Sequence, residues 1–342
     1  MSGTSLDGID LAIVNFKKEQ NWNFRVMSAE TIPYSPFWQR KLSISSSMNS
    51  LELDELDKAY TAYLGEVIQS FMHAHSEFEV DFISSHGHTV LHEPDRGITF
   101  QIGNLPSLST LINKKVICDF RSADVARGGQ GAPLVPGGEV HLFSQYDALI
   151  NLGGFANCTQ LTGPNLLAYD ICPVNVVLNT LSHELGFSYD NKGELARSGE
   201  FNDQLFNRLS EIDFYDFLPP KSLGIEWVKK NINPIILQFS SLKTIDLLHT
   251  FSHHFSEHIA KQLPNQGEVL FSGGGVYNRF LMELINEKTN CKICIPSKEI
   301  IEFKEAIIFA FLGVLRELNQ PNCLAAVTGA DLDHSSGKIY FY

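Results

Sequence analysis

One pattern limits this chain more than any other: a glycine turn beside a β-forming run occurs once in each half. MSGTSLDGIDLAIV opens the chain, and ALINLGGFANCTQL begins at Ala148. Around them, strand-like runs (FRVMSAETI, VDFISSH, KVICDF, LLAYDI, EVLFSGGG, KICIP) alternate with segments of helical period. The latter are LDELDKAYTAYLGEVIQSFMHAH, VNVVLNTLSHELG, SLKTIDLLHTFSHHFSEHIAKQL, NRFLMELINEK and FKEAIIFAFLGVLRELN. Strands alternating with helices of this length predict α/β layers. At 342 residues the chain exceeds what one core serves. The repeated hairpin therefore reads as two related lobes facing a cleft, 1–145 and 146–342. Two Gly/Pro-rich stretches, GGQGAPLVPGG (128–138) and PPKSLG (219–224), look like breaks between structural regions.

Charge narrows the partners. With 26 basic and 39 acidic residues the formal net charge is −13. Such a surface repels phosphate backbones, so nucleic acid is not an expected partner. A single nucleotide, held by loop N–H groups and a metal ion, remains compatible. Six cysteines are scattered, and the one C-x-x-C (Cys291 and Cys294, in CKIC) alternates like a strand. A disulfide framework is not implied, and neither a bilayer-spanning run nor a signal peptide is visible. The expectation is a cytoplasmic protein without a membrane partner.

Several short stretches have the residue types that phosphate and sugar chemistry needs. In MSGTSLDG, Gly3 and Gly8 let backbone approach closely, Ser2, Thr4 and Ser5 add hydroxyls, and Asp7 suits Mg²⁺. An ordinary polar turn fits these residues equally well. In NLGGFAN, Gly153 and Gly154 follow a strand and Asn157 is a donor on the far side; a plain hairpin turn is the rival. In FSGGGVYNRF, Gly273, Gly274 and Gly275 join a strand to an amphipathic helix, although the P-loop lysine is absent. HGHTVLHEP and DFRSADVARGGQG follow strands, where α/β proteins place ligands. His86, His88 and His92 could suggest a metal, but no Cys or carboxylate cluster completes a zinc site around them. LLAYDICP ends a strand on Asp170, a position for a general base or for a turn-capping acid. The histidines of HTFSHHFSEH read as a solvated helix face.

Taken in this order, the motifs resemble the anhydro-N-acetylmuramic acid kinase family, a branch of the sugar kinase/Hsp70/actin superfamily. The resemblance runs from Met1 to about Gly329 and rests on MSGTSLDGID, HGHTVLHEP, FQIG, DFRSADVARGGQGAPLVP, NLGGFAN, PPKS, SGGGVYNRFLM, EAIIFAFL and VTGA. It implies a two-lobed, actin-like (ribonuclease H-like) fold closing over ATP and Mg²⁺. It also implies a reaction in which water attacks the anomeric carbon of a 1,6-anhydro sugar while the 6-oxygen takes the γ-phosphoryl group. By that resemblance, Asp170 activates the water. Ser2, Gly3, Thr4, Ser5, Gly153, Gly154 and Asn157 hold phosphates, and Gly273–Gly275 with Asn278 line the nucleotide. His86, Thr89, Gln101, Arg121, Asp124 and Gln130 bind the sugar, and Asp7 and Glu305 orient Mg²⁺. A homodimer is expected on the same ground.

The chain also departs from the family pattern. Where the family reads TGPGN after the acid, this chain reads ICPVN, placing Ile171, Cys172 and Val174 at the Thr and Gly positions. PPKSTGRE becomes PPKSLGIE, with Leu223 and Ile225 replacing Thr and Arg. The rival readings are a non-catalytic sugar- or nucleotide-binding relative, a kinase of another anhydro-sugar such as levoglucosan, and an actin/Hsp70-like ATPase. In the family a strand runs into the residue matching Met1, so a first strand is expected to be missing and Met1 to correspond to an internal position.

Overall fold

The structure, a computed structural model, describes residues 1–3, 6–162 and 166–342. The chain separates into two compact units: Met1–Phe143 together with Phe303–Tyr342, and Ser144–Glu302. The chain leaves the first unit after Phe143 and returns to it at Phe303, so 146–342 is not one unit. PPKSLG lies inside the second unit rather than at a boundary.

The described residues form strands β1 (Gly8–Lys18), β2 (Trp22–Pro33), β3 (Ile83–Ser85), β4 (His88–Glu93), β5 (Ile98–Ile102), β6 (Val116–Cys118), β7 (Ala148–Leu152), β8 (Phe155–Gln160), β9 (Leu167–Pro173), β10 (Glu268–Ser272), β11 (Lys292–Cys294) and β12 (Lys338–Tyr340). In the first unit β1 and β2 make an antiparallel ribbon, as do β4 and β5. A third sheet has the order β12-β6-β3, with β6 parallel to β3 and antiparallel to β12. The C-terminal segment is held there by this β12 pairing. It is also held by a buried ion pair, Lys304 Nζ to Glu139 Oε1 at 2.9 Å.

The long helix Ser50–Ala74 forms as its sequence dictates. Asn49 caps it by accepting from the N–H groups of Leu51 and Glu52, and Glu52 returns a carboxylate to the Asn49 N–H. Leu53, Leu56, Tyr60, Leu64, Ile68 and Phe71 recur at spacings of three and four and are all buried. All but Phe71 join Ile9, Trp38, Ile102 and Val116 in the core of this unit. Full burial of each large apolar side chain contributes about 1.5–3 kcal/mol.

The second unit has one mixed sheet, β11-β10-β7-β8-β9. β10 is parallel to both β11 and β7, while β7, β8 and β9 run as an antiparallel meander. Its core gathers Ile150, Ile171, Leu181, Phe251, Phe255, Phe271 and Leu281. The helix Thr244–Ala260 corrects one expectation. Its His254 and His258 are buried, with Nε2 atoms 3.2 Å apart and the Tyr215 ring stacked on His258. The helix is apolar on too wide a face to leave all four histidines in water. No helix among the described residues is long and apolar enough to cross a membrane.

Candidate functional site

The two units carry different chemistry. In the first, His86 follows β3 and is buried, and its Nε2 accepts from Arg121 Nε at 2.9 Å. Its Nδ1–H then faces the Gly87 carbonyl oxygen at 3.0 Å. Burial first, and the Arg121 charge second, hold the imidazole pKa well below its ordinary value, so the ring is neutral and accepts. Arg121 also donates from Nη1 to Gly131 O at 2.6 Å. One guanidinium thus ties the end of β3 to the GGQG loop. Thr89 and Gln101 stand opposite each other across the β4–β5 ladder, and Gln101 Nε2 donates to Thr99 Oγ1 at 2.8 Å. Gln130 is exposed on the same Gly-rich loop. The structure therefore connects His86 with Arg121 directly, and Thr89 with Gln101.

Two sequence-derived roles need correction because the polar atoms are already engaged. Asp124 is 0% exposed, its Oδ2 accepting from Gly131 N at 2.7 Å and its Oδ1 from Thr328 Oγ1 at 2.8 Å. It braces the Gly-rich loop from inside and presents no oxygen to a sugar. Ser2 is buried, its hydroxyl 2.6 Å from Tyr34 Oη and 2.9 Å from His88 Nδ1, so it does not offer that hydroxyl to phosphate. Asn278 keeps its place beside the cavity next to Gly274: it caps the helix Arg279–Asn286 through Oδ1, which accepts from Leu281 N at 3.0 Å, and it borders that cavity. Thr4 and Ser5 lie outside the described residues.

The acids expected to face a metal ion are accessible. Asp7 is exposed, and one of its carboxylate oxygens accepts from Gly8 N at 2.9 Å. Glu305 reaches solvent but is closely walled. Desolvation pushes its carboxyl pKa up, against the opposing pull of Lys304 and Arg121. Carboxylate oxygens with room for water match a hard divalent cation such as Mg²⁺. A second trio, Asp124, Cys323 and His334, holds its ligand atoms within 4.8 Å of one another. Burial raises the Cys323 thiol to about 12, and Asp124 is already satisfied, so this cluster is a packed interior rather than a metal centre.

In the second unit, Gly153 and Gly154 turn β7 into β8. Gly154 O accepts from the N–H groups of Val174 (2.8 Å) and Val176 (3.2 Å), which clamps the start of the helix Asn175–Glu184 against this turn. Asp170 lies opposite Asn157 across the β8–β9 ladder. Its Oδ2 accepts from the backbone N–H of Leu223 at 2.8 Å, and its own N–H donates to Lys221 O at 3.0 Å. Burial raises its carboxyl pKa above the ordinary value, and the Leu223 N–H offsets part of that rise. A half-buried carboxylate of raised pKa is suited to accept a proton.

The residues that depart from the family pattern now have locations. Ile171, Cys172 and Val174 are 2%, 0% and 0% exposed and belong to the core. Leu223 meets Asp170 through its backbone, which any residue but proline supplies. The substitutions therefore leave the Asp170 contacts in place.

Gly273 and Gly275 allow β10 and its following turn to press on β7. A Cβ on Gly273, at φ +81°, would meet Asn151 Oδ1 at 2.6 Å, and one on Gly275 would meet Leu152 Cβ at 2.7 Å. Gly274 has nothing within 4 Å of its Cβ position and borders a cavity of about 780 Å³. Sequence reasoning missed the opposite wall of that cavity: Asn175, Asn179, Tyr189, Asp190 and Lys192. The available signal was DNKG, a polar run ending in glycine. Asp190 there accepts from Leu195 N and Ala196 N and fixes the turn. The cavity volume is in the range of small-molecule sites.

Comparison with known proteins agrees with the motif reading. The sequence profile described as anhydro-N-acetylmuramic acid kinase matches residues 1–342. A protein named anhydro-N-acetylmuramic acid kinase from Shewanella pealeana is 30% identical over 362 residues, covering 99% of this chain and 97% of the relative. One of the same name from Bacillus thuringiensis subsp. konkukian is 32% identical over 374 residues, covering 100% and 98%. Among solved structures, the activator of the 2-hydroxyisocaproyl-CoA dehydratase from Clostridium difficile with bound ADPNP has a TM-score of 0.31 at 15% identity, covering 54% of this chain and 66% of that one. Component A of the (R)-2-hydroxyglutaryl-CoA dehydratase from Acidaminococcus fermentans has a TM-score of 0.35 at 14% identity, covering 60% and 70%. Both scores are too low to assign the fold. The match along the whole sequence is what decides, and by it this chain belongs to the anhydro-N-acetylmuramic acid kinase family.

Proposed function

We propose that the chain is a working kinase that converts 1,6-anhydro-N-acetylmuramic acid and ATP to N-acetylmuramic acid 6-phosphate and ADP, opening the anhydro ring with water. Family membership supports the kinase class. Asp170 is the single observation that supports retained chemistry. Water is a poor nucleophile, and the proton it loses on attacking the anomeric carbon needs an acceptor. Asp170 Oδ2 is held by the Leu223 N–H, and desolvation raises the basicity of the carboxylate. The ring C–O bond breaks as the new C–O bond forms, and the freed 6-oxygen takes the γ-phosphoryl group.

The division of labour follows the units. In the second, the cavity beside Gly274 would take the nucleotide's base and ribose, with Gly153, Gly154 and Asn157 toward its phosphates. In the first, His86, Arg121, Thr89, Gln101 and Gln130 would orient the sugar, while Gly3 offers backbone to phosphate. Asp7 and Glu305 would hold Mg²⁺, which when bound neutralises phosphate charge. A two-lobed, actin-like ATPase arrangement, a homodimer, a cytoplasmic location and the lack of a nucleic-acid partner belong to the same proposal. The test is purified protein with MgATP and a panel of anhydro-sugars, read by product mass. A 6-phosphate that has also gained one water from anhydro-N-acetylmuramic acid supports the reading. Nucleotide binding without turnover on any member of the panel overturns it.

A further inference from the structure

The buried Ser2 hydroxyl meets a residue that grips the first turn at both ends. Tyr34 directly follows Pro33, the last residue of β2. Its hydroxyl lies 2.6 Å from Ser2 Oγ, and its backbone N–H donates to Asp7 O at 3.2 Å. Ser2 opens the SGTSLD turn and Asp7 closes it, so a single residue fixes the separation of the two. Gln39 adds a further hold, donating from Nε2 to Leu6 O at 3.3 Å. Leu6 needs such support: its φ is +59°, in the left-handed region that a residue with a Cβ seldom adopts.

Behind Tyr34 the contacts continue into the core. Tyr34 Oη is 2.6 Å from Tyr60 Oη, on the helix Ser50–Ala74, and Ser2 Oγ is 2.9 Å from Nδ1 of His88, the first residue of β4. All four residues are buried. The Tyr34 ring packs against those of Tyr60 and Tyr63, with centroids 6.4 and 6.2 Å away, which fixes where its hydroxyl stands. Burial pushes the Tyr34 hydroxyl up to about 12 and the His88 imidazole down to about 4, so the phenol keeps its proton and the ring is neutral. A neutral ring can accept the Ser2 proton at Nδ1. Ser2 Oγ then accepts from Tyr34 and Tyr34 Oη from Tyr60, and each of the three protons has an acceptor.

We propose that Tyr34 is a positioning residue for phosphoryl transfer: through the Ser2 hydroxyl and the Asp7 carbonyl it sets the turn that brings the Asp7 carboxylate and the Gly3 backbone to Mg²⁺ and phosphate. The inference rests on the reading of the chain as a working kinase. It also gives Ser2 a part that needs no contact with phosphate, exerted through Tyr34. A displacement of about 1 Å in such a frame lowers turnover by up to about 10²-fold with every contacting residue still present.

The test is Tyr34→Phe in the full chain, which keeps the ring and the backbone N–H and removes the hydroxyl. Turnover is measured against Mg²⁺, ATP and sugar concentration. The Mg²⁺ concentration for half-maximal rate should rise about fivefold and kcat fall about tenfold, with the KM for the anhydro-sugar within about twofold of the parent. Loss of packing alone would not move the Mg²⁺ dependence. Ser2→Ala breaks the same link from the other side, so a Tyr34→Phe chain that failed to fold would not end the test. It should give the same change, and the double variant should add nothing to either single one. A Mg²⁺ dependence and kcat within about twofold of the parent in the variants that fold overturn the proposal, as do effects that add in the double variant. Absence of turnover in the parent overturns the kinase reading instead. Calorimetric titration of ATP at graded Mg²⁺ then decides on Tyr34: weaker Mg²⁺-dependent binding in the variants supports the proposal, and equal binding overturns it.

Discussion

Asp170 gathers the most consequence into one side chain. Asp170→Asn keeps the shape and still offers an oxygen to the Leu223 N–H, so the loop should stay in place. What it loses is proton affinity. We expect ATP affinity within about twofold of the parent and turnover lower by about 10²–10⁴-fold, measured by calorimetric titration and product formation. The pH profile follows from the direction of the shift. Burial raises the folded-state carboxyl above 3.8, and the base works only when ionised. Activity should therefore fall on the acid side at a pH above 3.8, and kcat/KM against pH should show that limb shifted upward. At this scale residue types are readable from the sequence, but the directions of their atoms are not. Asp170 was read as the acid that ends a strand, whereas β9 continues through Ile171 and Cys172 to Pro173 and holds it within the strand. Asp124 and Ser2 were misread because a buried acid or hydroxyl looks the same in a sequence as an accessible one. Leu223 was unreadable because it acts through its backbone.

Elements were more legible, because periodicity is carried by many residues at once. The helix Ser50–Ala74 declares its stripe and its cap, and Asn49→Ala should lower stability by about 0.5–2 kcal/mol in a denaturant titration. The strand–turn–helix around the three glycines permits a sharper contrast. Gly275→Ala puts a methyl group 2.7 Å from Leu152 Cβ and should destabilise by about 1–3 kcal/mol, seen as a lower Tm. Gly274→Ala meets nothing in the protein. It should leave the Tm unchanged and weaken nucleotide binding, because its methyl group projects into space bordering the cavity. If Gly274→Ala binds nucleotide as the parent does, that cavity is not where the nucleotide lies. The altered ICPVN stretch was read as following the strand end at Asp170, but Ile171–Pro173 continue β9. That its three changed residues are core required the fold.

For the whole molecule, the chain leaves the first unit after Phe143 and returns to it at Phe303. Sequence alone did not reveal this return, since a helix such as Lys298–Glu317 reads the same wherever it packs. The return is structural: β12 pairs with β6, Lys304 neutralises Glu139, and Thr328 holds Asp124. A fragment spanning 144–302 should fold alone and show cooperative melting by circular dichroism. A chain cut after Glu302 should keep that transition and lose protected amides in β6. Loss of both in the cut chain would show that the units do not fold separately.

A discontinuous unit also sets an order on the ribosome. The residues of Ser144–Glu302 are all synthesised before those that complete the first unit. At about 5–20 residues per second, the last stretch from Phe303 takes roughly 2–8 s more. During that interval the N-terminal portion waits without its closing strand, and β6 presents an open edge to any neighbour. A premature stop near the 3′ end of the message would therefore strand the earliest-made residues, and quality control would meet the defect far from where the mutation lies.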